Sequence, residues 1–161
     1  IFEKPLCLNS NFPRIMSLKN ASMKMSKSDS SGKGIIYLSD SNEDIESKII
    51  KAKTDSIGTI KFDKKDRPDV SNLIHIYSSL SELNIEEVEK KFENVNTYEF
   101  KKDLSKLVTK EIGKISQKYD RLIKHEKEYL RSILIDGKKI AKEIATTNID
   151  EIKDCLKFLK L

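Results

Sequence analysis

Cysteine is scarce: Cys7 and Cys155 stand near opposite ends of the sequence, without C-x-x-C spacing. That argues against a disulfide framework and a cysteine-built zinc site, and suits a reducing compartment. Tryptophan is absent, and only Arg14, Arg67, Arg121 and Arg131 among the 31 basic residues are arginine. The excess of lysine, isoleucine and asparagine reads as the codon bias of an AT-rich genome. The two histidines, His75 and His125, have no Cys, Asp or Glu cluster at ligand spacing, so no metal site is expected. No apolar run approaches the ~18 residues of a membrane span. No signal-peptide pattern opens the chain as given, and no Ser/His/Asp order is compelling.

What is present is a charged, periodic sequence. Charged residues make up 35% of 161, with a net charge of +5. The apolar residues recur at regular intervals, which marks a globular chain and not a disordered one. The positive balance favours a polyanionic partner without naming one.

The periodicity predicts mostly helix. Arg14–Leu18 reads as a strand end, and Ile35–Leu38 as a short strand or extended segment. From Ser41 or Asn42, a cap followed by Glu43 and Asp44 starts a helix with Ile45, Ile49 and Ala52 on one face. Thr54 to Asp69 reads as a connector with a short extended Thr59–Phe62. After Pro68, Val70, Leu73, Ile74 and Tyr77 form a stripe. Asn84-Ile85-Glu86-Glu87 resembles a capping box. The longest helix is expected over about 97–124, with Phe100, Leu104, Leu107, Val108, Ile112, Ile115, Tyr119 and Leu122 in line. Another carries Tyr129, Leu130, Ile133, Leu134, Ile140 and Ile144, with Gly137 as a close-packing point. Asn148 is expected to cap a last helix. Each large apolar side chain buried contributes about 1.5–3 kcal/mol, so five stripes predict a small helical bundle.

Chemistry concentrates in Lys24-Met25-Ser26-Lys27-Ser28. Two lysines three positions apart, beside hydroxyls and before a Ser/Gly segment, predict an exposed, flexible loop. Such a loop suits an anion whose charge moves during a reaction, above all a polyphosphate. A plain solvated basic loop has the same composition. Ser31-Gly32-Lys33-Gly34 lacks the spacing of a phosphate-binding P-loop.

Lys-Met-Ser-Lys-Ser is the second signature of class I aminoacyl-tRNA synthetases. Pro13-Arg14-Ile15-Met16-Ser17-Leu18 before it resembles the bacterial-type tryptophanyl-tRNA synthetases. So do Ile60-Lys61-Phe62-Asp63, Pro68–Tyr77 and Phe100-Lys101-Lys102-Asp103-Leu104 after it. Met25-Ser26 stands where the tyrosyl sister family usually has Phe-Gly. Two departures are visible: Asp29-Ser30 replaces Asp-Pro, which is expected to loosen the loop, and Pro68-Asp69 replaces Pro-Gly, which is expected to alter a turn.

The resemblance implies a mainly α chain. Residues 1–40 would be the C-terminal edge of a Rossmann-type catalytic domain carrying the KMSKS loop, and residues 41–161 an all-helical anticodon-binding bundle. It implies ATP (with Mg2+), tryptophan and tRNA(Trp) as substrates, no permanently bound cofactor, a homodimeric parent protein and no membrane. The compartment would be intracellular: an organelle or a bacterial cytoplasm. It makes Lys24 and Lys27 catalytic, Lys27 foremost, meeting the charge that develops on pyrophosphate. Ile15, Met25, Ser26 and Ser28 join both lysines as ATP-binding residues. Ile15 would lie near the adenine, although a plain core isoleucine fits the residue pattern equally. Met25 would rest on the adenine or on the loop's hinge. Tyr98, Arg121, Tyr129 and Arg131 are available for anticodon bases. The alternative is a non-catalytic helical RNA- or protein-binding module that keeps the loop by ancestry.

The chain opens on Ile1, which reads as a cut or a processing point. A class I enzyme also needs a His-Ile-Gly-His-like motif and an amino-acid pocket, both expected upstream of Ile1. The 161 residues alone are therefore expected to give no tryptophan-dependent exchange of pyrophosphate into ATP. Clear exchange by the purified chain would place the reaction centre within it.

Overall fold

The computed structural model describes residues 4–8, 14–29 and 31–158. Five helices follow one another: α1 (Asn42–Ile50), α2 (Pro68–Ser81), α3 (Ile85–Lys91), α4 (Thr97–His125) and α5 (Lys127–Cys155). The described residues contain no extended strand, only an antiparallel bridge between Met16 and Lys24. The chain is thus mainly α. It divides into two compact units, Asn9–Tyr119 and a second formed by Ile1–Leu8 with Asp120–Leu161.

Local chemistry sets the starts of the short helices. Ser41 caps α1 through a capping box with Asp44. Asn84 does the same for α3 with Glu87. In each, the cap side-chain oxygen accepts from the acidic residue's backbone N–H, and that residue's carboxylate accepts from the cap's own N–H. Pro68 opens α2, where its missing N–H costs nothing. Asn96 Oδ1 accepts from the Glu99 amide at the head of α4.

The first unit has one apolar core. Ile45 and Ile49 of α1, Val70, Leu73, Ile74 and Tyr77 of α2, Val88 of α3, and Phe100, Leu104 and Val108 of α4 are buried together. Leu18 and Ile60 join them from the loops. Tyr77, Phe92 and Phe100 form a ring cluster with centroids 4.9–6.0 Å apart. Tyr77 donates its hydroxyl hydrogen to Asp103, and Lys91 reaches both groups. At Gly113 of α4 a Cβ would stand 3.4 Å from Asn42 Oδ1.

Two buried cations hold the connectors. Lys101 is 8% exposed. Its ammonium donates to the Ala52 carbonyl at 2.7 Å and the Ile50 carbonyl at 3.4 Å. A cation on the last carbonyls of α1 complements the negative end of that helix. Burial pushes the Lys101 pKa down. Arg67 grips Asp55 with two parallel bonds of 2.8 and 2.9 Å and adds the Thr59 carbonyl at 2.7 Å. The pair folds the stretch between α1 and α2 back on itself.

Several expectations are corrected. Ile35–Leu38 forms no strand. Ile35 and Ile60 are buried from irregular backbone instead. Asn148 caps nothing, because α5 runs through it to Cys155. Keeping Asn inside a helix costs less than about 1 kcal/mol, and breaking a continuous helix costs more. A Cβ at Gly137 would meet nothing within 4 Å, so Gly137 is not a close-packing point. The stripe of α5 exists but buries no residue: Ile133, Leu134, Ile140 and Ile144 are all exposed. No helix among the described residues is long and apolar enough to cross a membrane.

Hydrogen bonds from Arg67 hold the Asp55 carboxyl below the usual carboxylate range. The pair's contribution is present above the unfolded-chain value of about 3.9 and is lost as the pH falls through the lower folded value. Urea midpoints of the native chain are expected to drop on acidification below about pH 4. Asp55→Asn is expected to start lower at neutral pH and to show a shallower acid slope. Equal slopes would remove Asp55 from the acid response.

Candidate functional site

The Lys24–Ser28 stretch begins as the second arm of a small hairpin. Ser17 N–H donates to the Met23 carbonyl at 2.8 Å, and Met25 N–H to the Ile15 carbonyl at 3.0 Å. Between the arms Met23 N–H closes a turn onto the Asn20 carbonyl at 3.0 Å. These bonds flank the Met16–Lys24 pair. In that arrangement the N–H and C=O of Met16 and Lys24 point outward from the hairpin.

A second turn follows. Asp29 N–H reaches the Ser26 carbonyl at 3.1 Å, so Lys27 and Ser28 occupy the middle of the turn. Ser26 Oγ accepts from the Ser28 amide at 3.3 Å. Lys24, Ser26, Lys27 and Ser28 are all exposed. Neither the Lys24 nor the Lys27 ammonium has a hydrogen-bond or ion-pair partner among the described residues. The stretch is backbone-bonded on both sides, and its two ammonium groups are uncommitted among the described residues.

Asp29 supplies the brace downstream. Its carboxylate accepts from Ser31 N at 2.9 Å, Ser31 Oγ at 2.7 Å and Gly34 N at 3.1 Å. These bonds, those from Ser31 first, hold its carboxyl below the usual range. The Gly34 carbonyl in turn accepts from Leu18 N at 3.0 Å. Gly34 is required by space: a Cβ would stand 2.3 Å from Ser17 Oγ and 2.5 Å from Asp29 Oδ2.

The helical part anchors the same hairpin. Met16 N–H donates to Asn72 Oδ1 at 2.9 Å, and Asn72 Nδ2 donates to the Met16 carbonyl at 2.8 Å. Asp69, one turn earlier on α2, accepts from Ala21 N at 2.9 Å and pairs with Lys53 at 3.0 Å. Lys53 N–H donates to the Leu18 carbonyl at 2.8 Å. The Asp in Pro68-Asp69 alters no turn. It sits in the first turn of α2 and holds the hairpin.

The sequence-derived candidates separate into two groups. Lys24, Ser26 and Ser28 line a cleft of about 500 Å³ together with Ser17, Lys19 and Asp29. Lys27 is outside that lining. Ile15 and Met25 face an apolar pocket of about 190 Å³, with Ile36 and with Ile76, Leu80 and Ile112 from α2 and α4. Both are half-buried against the core. Asn72, Asp69, Asp29 and Gly34 were not singled out from sequence for this role. Asn72 carried a signal: it is a polar residue within the stripe of Val70, Leu73 and Ile74.

Two further groups bear on chemistry. The His75 ring lies 4.8 Å from Phe62, and burial lowers its pKa. No group of three or more His, Cys, Asp or Glu among the described residues is arranged to hold a metal ion.

A family model described as tRNA synthetases class I (W and Y) matches residues 1–113. The chain belongs to that family. It is 40% identical over 146 residues to a tryptophan–tRNA ligase of Rickettsia felis, covering 91% of this chain and 44% of that protein. The tryptophan–tRNA ligase of Bacillus subtilis is 42% identical over 143 residues, with 89% and 43% coverage. A crystal structure of tryptophanyl-tRNA synthetase from Mycoplasma pneumoniae superposes with a TM-score of 0.82 at 28% identity, over 94% of this chain and 45% of that one. The chain thus spans less than half the length of these synthetases, all three named for tryptophan.

The brace at Gly34 is testable. Gly34→Ala forces Ser17 and Asp29 apart and is expected to cost about 1–3 kcal/mol, the range for overpacking, read from urea unfolding of the chain. A midpoint unchanged from the native chain would show that the loop absorbs a methyl group freely.

Proposed function

We propose that this chain is the signature-loop and helical part of a tryptophan–tRNA ligase, which activates tryptophan with ATP and transfers it to tRNA(Trp). In this reading residues 1–40 close a Rossmann-type catalytic domain, and residues 41–161 form the anticodon-binding part. ATP (with Mg2+), tryptophan and tRNA(Trp) are substrates. The parent protein is a homodimer of an intracellular compartment, a bacterial cytoplasm or an organelle. The bacterial relatives support the tryptophan assignment.

The observation that carries the reading is the pair of uncommitted, exposed ammonium groups on a backbone-braced hairpin and turn. When the tryptophan carboxylate attacks the α-phosphate of ATP, the bond to pyrophosphate breaks and negative charge moves onto the leaving group. A cation that meets this charge only in the transition state accelerates the step. Lys24 and Lys27 are free to do so, because no carboxylate of the described chain competes for them. Ser26 and Ser28 offer hydroxyl donors on the same turn. Ile15 and Met25 present apolar surface beside the turn, suited to the adenine. For the anticodon, Tyr98 and Tyr129 are exposed and able to stack on bases. Arg121 and Arg131 are tied to Glu126 and Glu128 at exposed positions, pairs weak enough to exchange for phosphate or base.

The test is Lys27→Ala in the full-length polypeptide. Loss of one well-placed transition-state donor is expected to lower the rate of tryptophan-dependent pyrophosphate exchange by about 10²–10³, with the KM for tryptophan nearly unchanged. A rate within a few fold of native would overturn the assignment of Lys27.

A further inference from the structure

An edge of backbone needs a partner, and the signature hairpin gets one from a helix side chain. Met16 sits opposite Lys24 in a pair whose own N–H and C=O groups face outward. Asn72 meets both Met16 groups with one primary amide, at 2.9 and 2.8 Å. The amide thus takes the place of a third strand. Asn72 is 4% exposed and lies among apolar residues of α2. A buried polar group of this kind is costly unless both ends are satisfied, and here both are. Asp69, three residues earlier on the same face of α2, holds Ala21 in the hairpin turn. α2 therefore grips the hairpin at one arm and at its turn, and the residues either side of Met16, Ile15 and Ser17, carry the hydrogen bonds to the arm that bears Lys24.

We propose that Asn72 is a positioning residue for the signature lysines, acting through Met16 and coupling the place of Lys24 to that of α2. The inference rests on the function proposed above. Asn72 touches no reacting group. It holds the arm from which the ammonium groups reach the leaving pyrophosphate, so its loss lowers kcat and leaves the tryptophan site alone.

The test uses the full-length polypeptide and pyrophosphate exchange. Asn72→Ala is expected to lower kcat about tenfold or more, as loss of orientation does, with the KM for tryptophan within about twofold. In a Lys24→Ala background the same change is expected to have less than about a twofold further effect, because interacting residues are non-additive. Hydrogen exchange of Asn72→Ala is expected to speed up at the Ser17 and Met25 amides while Leu73–Tyr77 in α2 stay protected. If Asn72→Ala does not fold, Asn72→Asp, which keeps the acceptor and gives up the donor, is measured in its place with the same expectations. An unchanged kcat, full additivity with Lys24→Ala, or loss of protection across α2 would each overturn the positioning role. Lys27→Ala separates the two levels. If it slows exchange while Asn72→Ala does not, only the positioning role falls. If it leaves exchange intact, the functional reading falls and this inference with it.

Discussion

Met16 exposes an N–H and a C=O on the outer edge of a two-armed hairpin, and the site depends on both being satisfied. A two-stranded hairpin standing alone in water is marginal. Here the missing ladder is supplied from α2 by Asn72, while Asp69 fixes the turn and the Lys53 amide holds Leu18. Leu18 is itself buried in the helical core. The hairpin is thus continuous with the core through both hydrogen bonds and apolar contact.

Charge is distributed with the same economy. Lys48, Lys53, Lys91, Lys114 and Lys124 each face a carboxylate, and Lys101 is spent on helix carbonyls. Lys24 and Lys27 have no such partner among the described residues. The nearby acid, Asp29, accepts its hydrogen bonds from Ser31 and Gly34, with the Lys19 charge close by. An anion approaching the turn meets cations whose charge has not been neutralised in advance.

Much of this was legible before any coordinates. The caps at Ser41 and Asn84, the stripes of α1, α2 and the first half of α4, and the signature pentapeptide all follow from residue type and spacing. The possible strand at Ile35–Leu38 did not form, because Ile35 reaches the core from irregular backbone that no neighbouring strand pairs. Asn72 and Asp69 stayed hidden because their partners are 56 and 48 residues away in sequence. The stripe of α5 was read correctly as a helix face and wrongly as a buried one. Periodicity states which side of a helix is apolar and is silent on what covers it.

The sequence by itself determined most of the helices, the caps at Ser41 and Asn84, and the signature pentapeptide that points to the family, since each depends on side chains within a turn or two of one another. Only the tertiary structure decided how the two ammonium groups are presented. It placed the amide of α2 against the outward groups of Met16 and the carboxylate of Asp29 against the amide of Gly34. It also set Lys24, Ser26 and Ser28 along a cleft and Met25 in an apolar pocket. Those outcomes require segments distant along the chain to meet, and the hydrogen bonds that join them exist only once the core has formed.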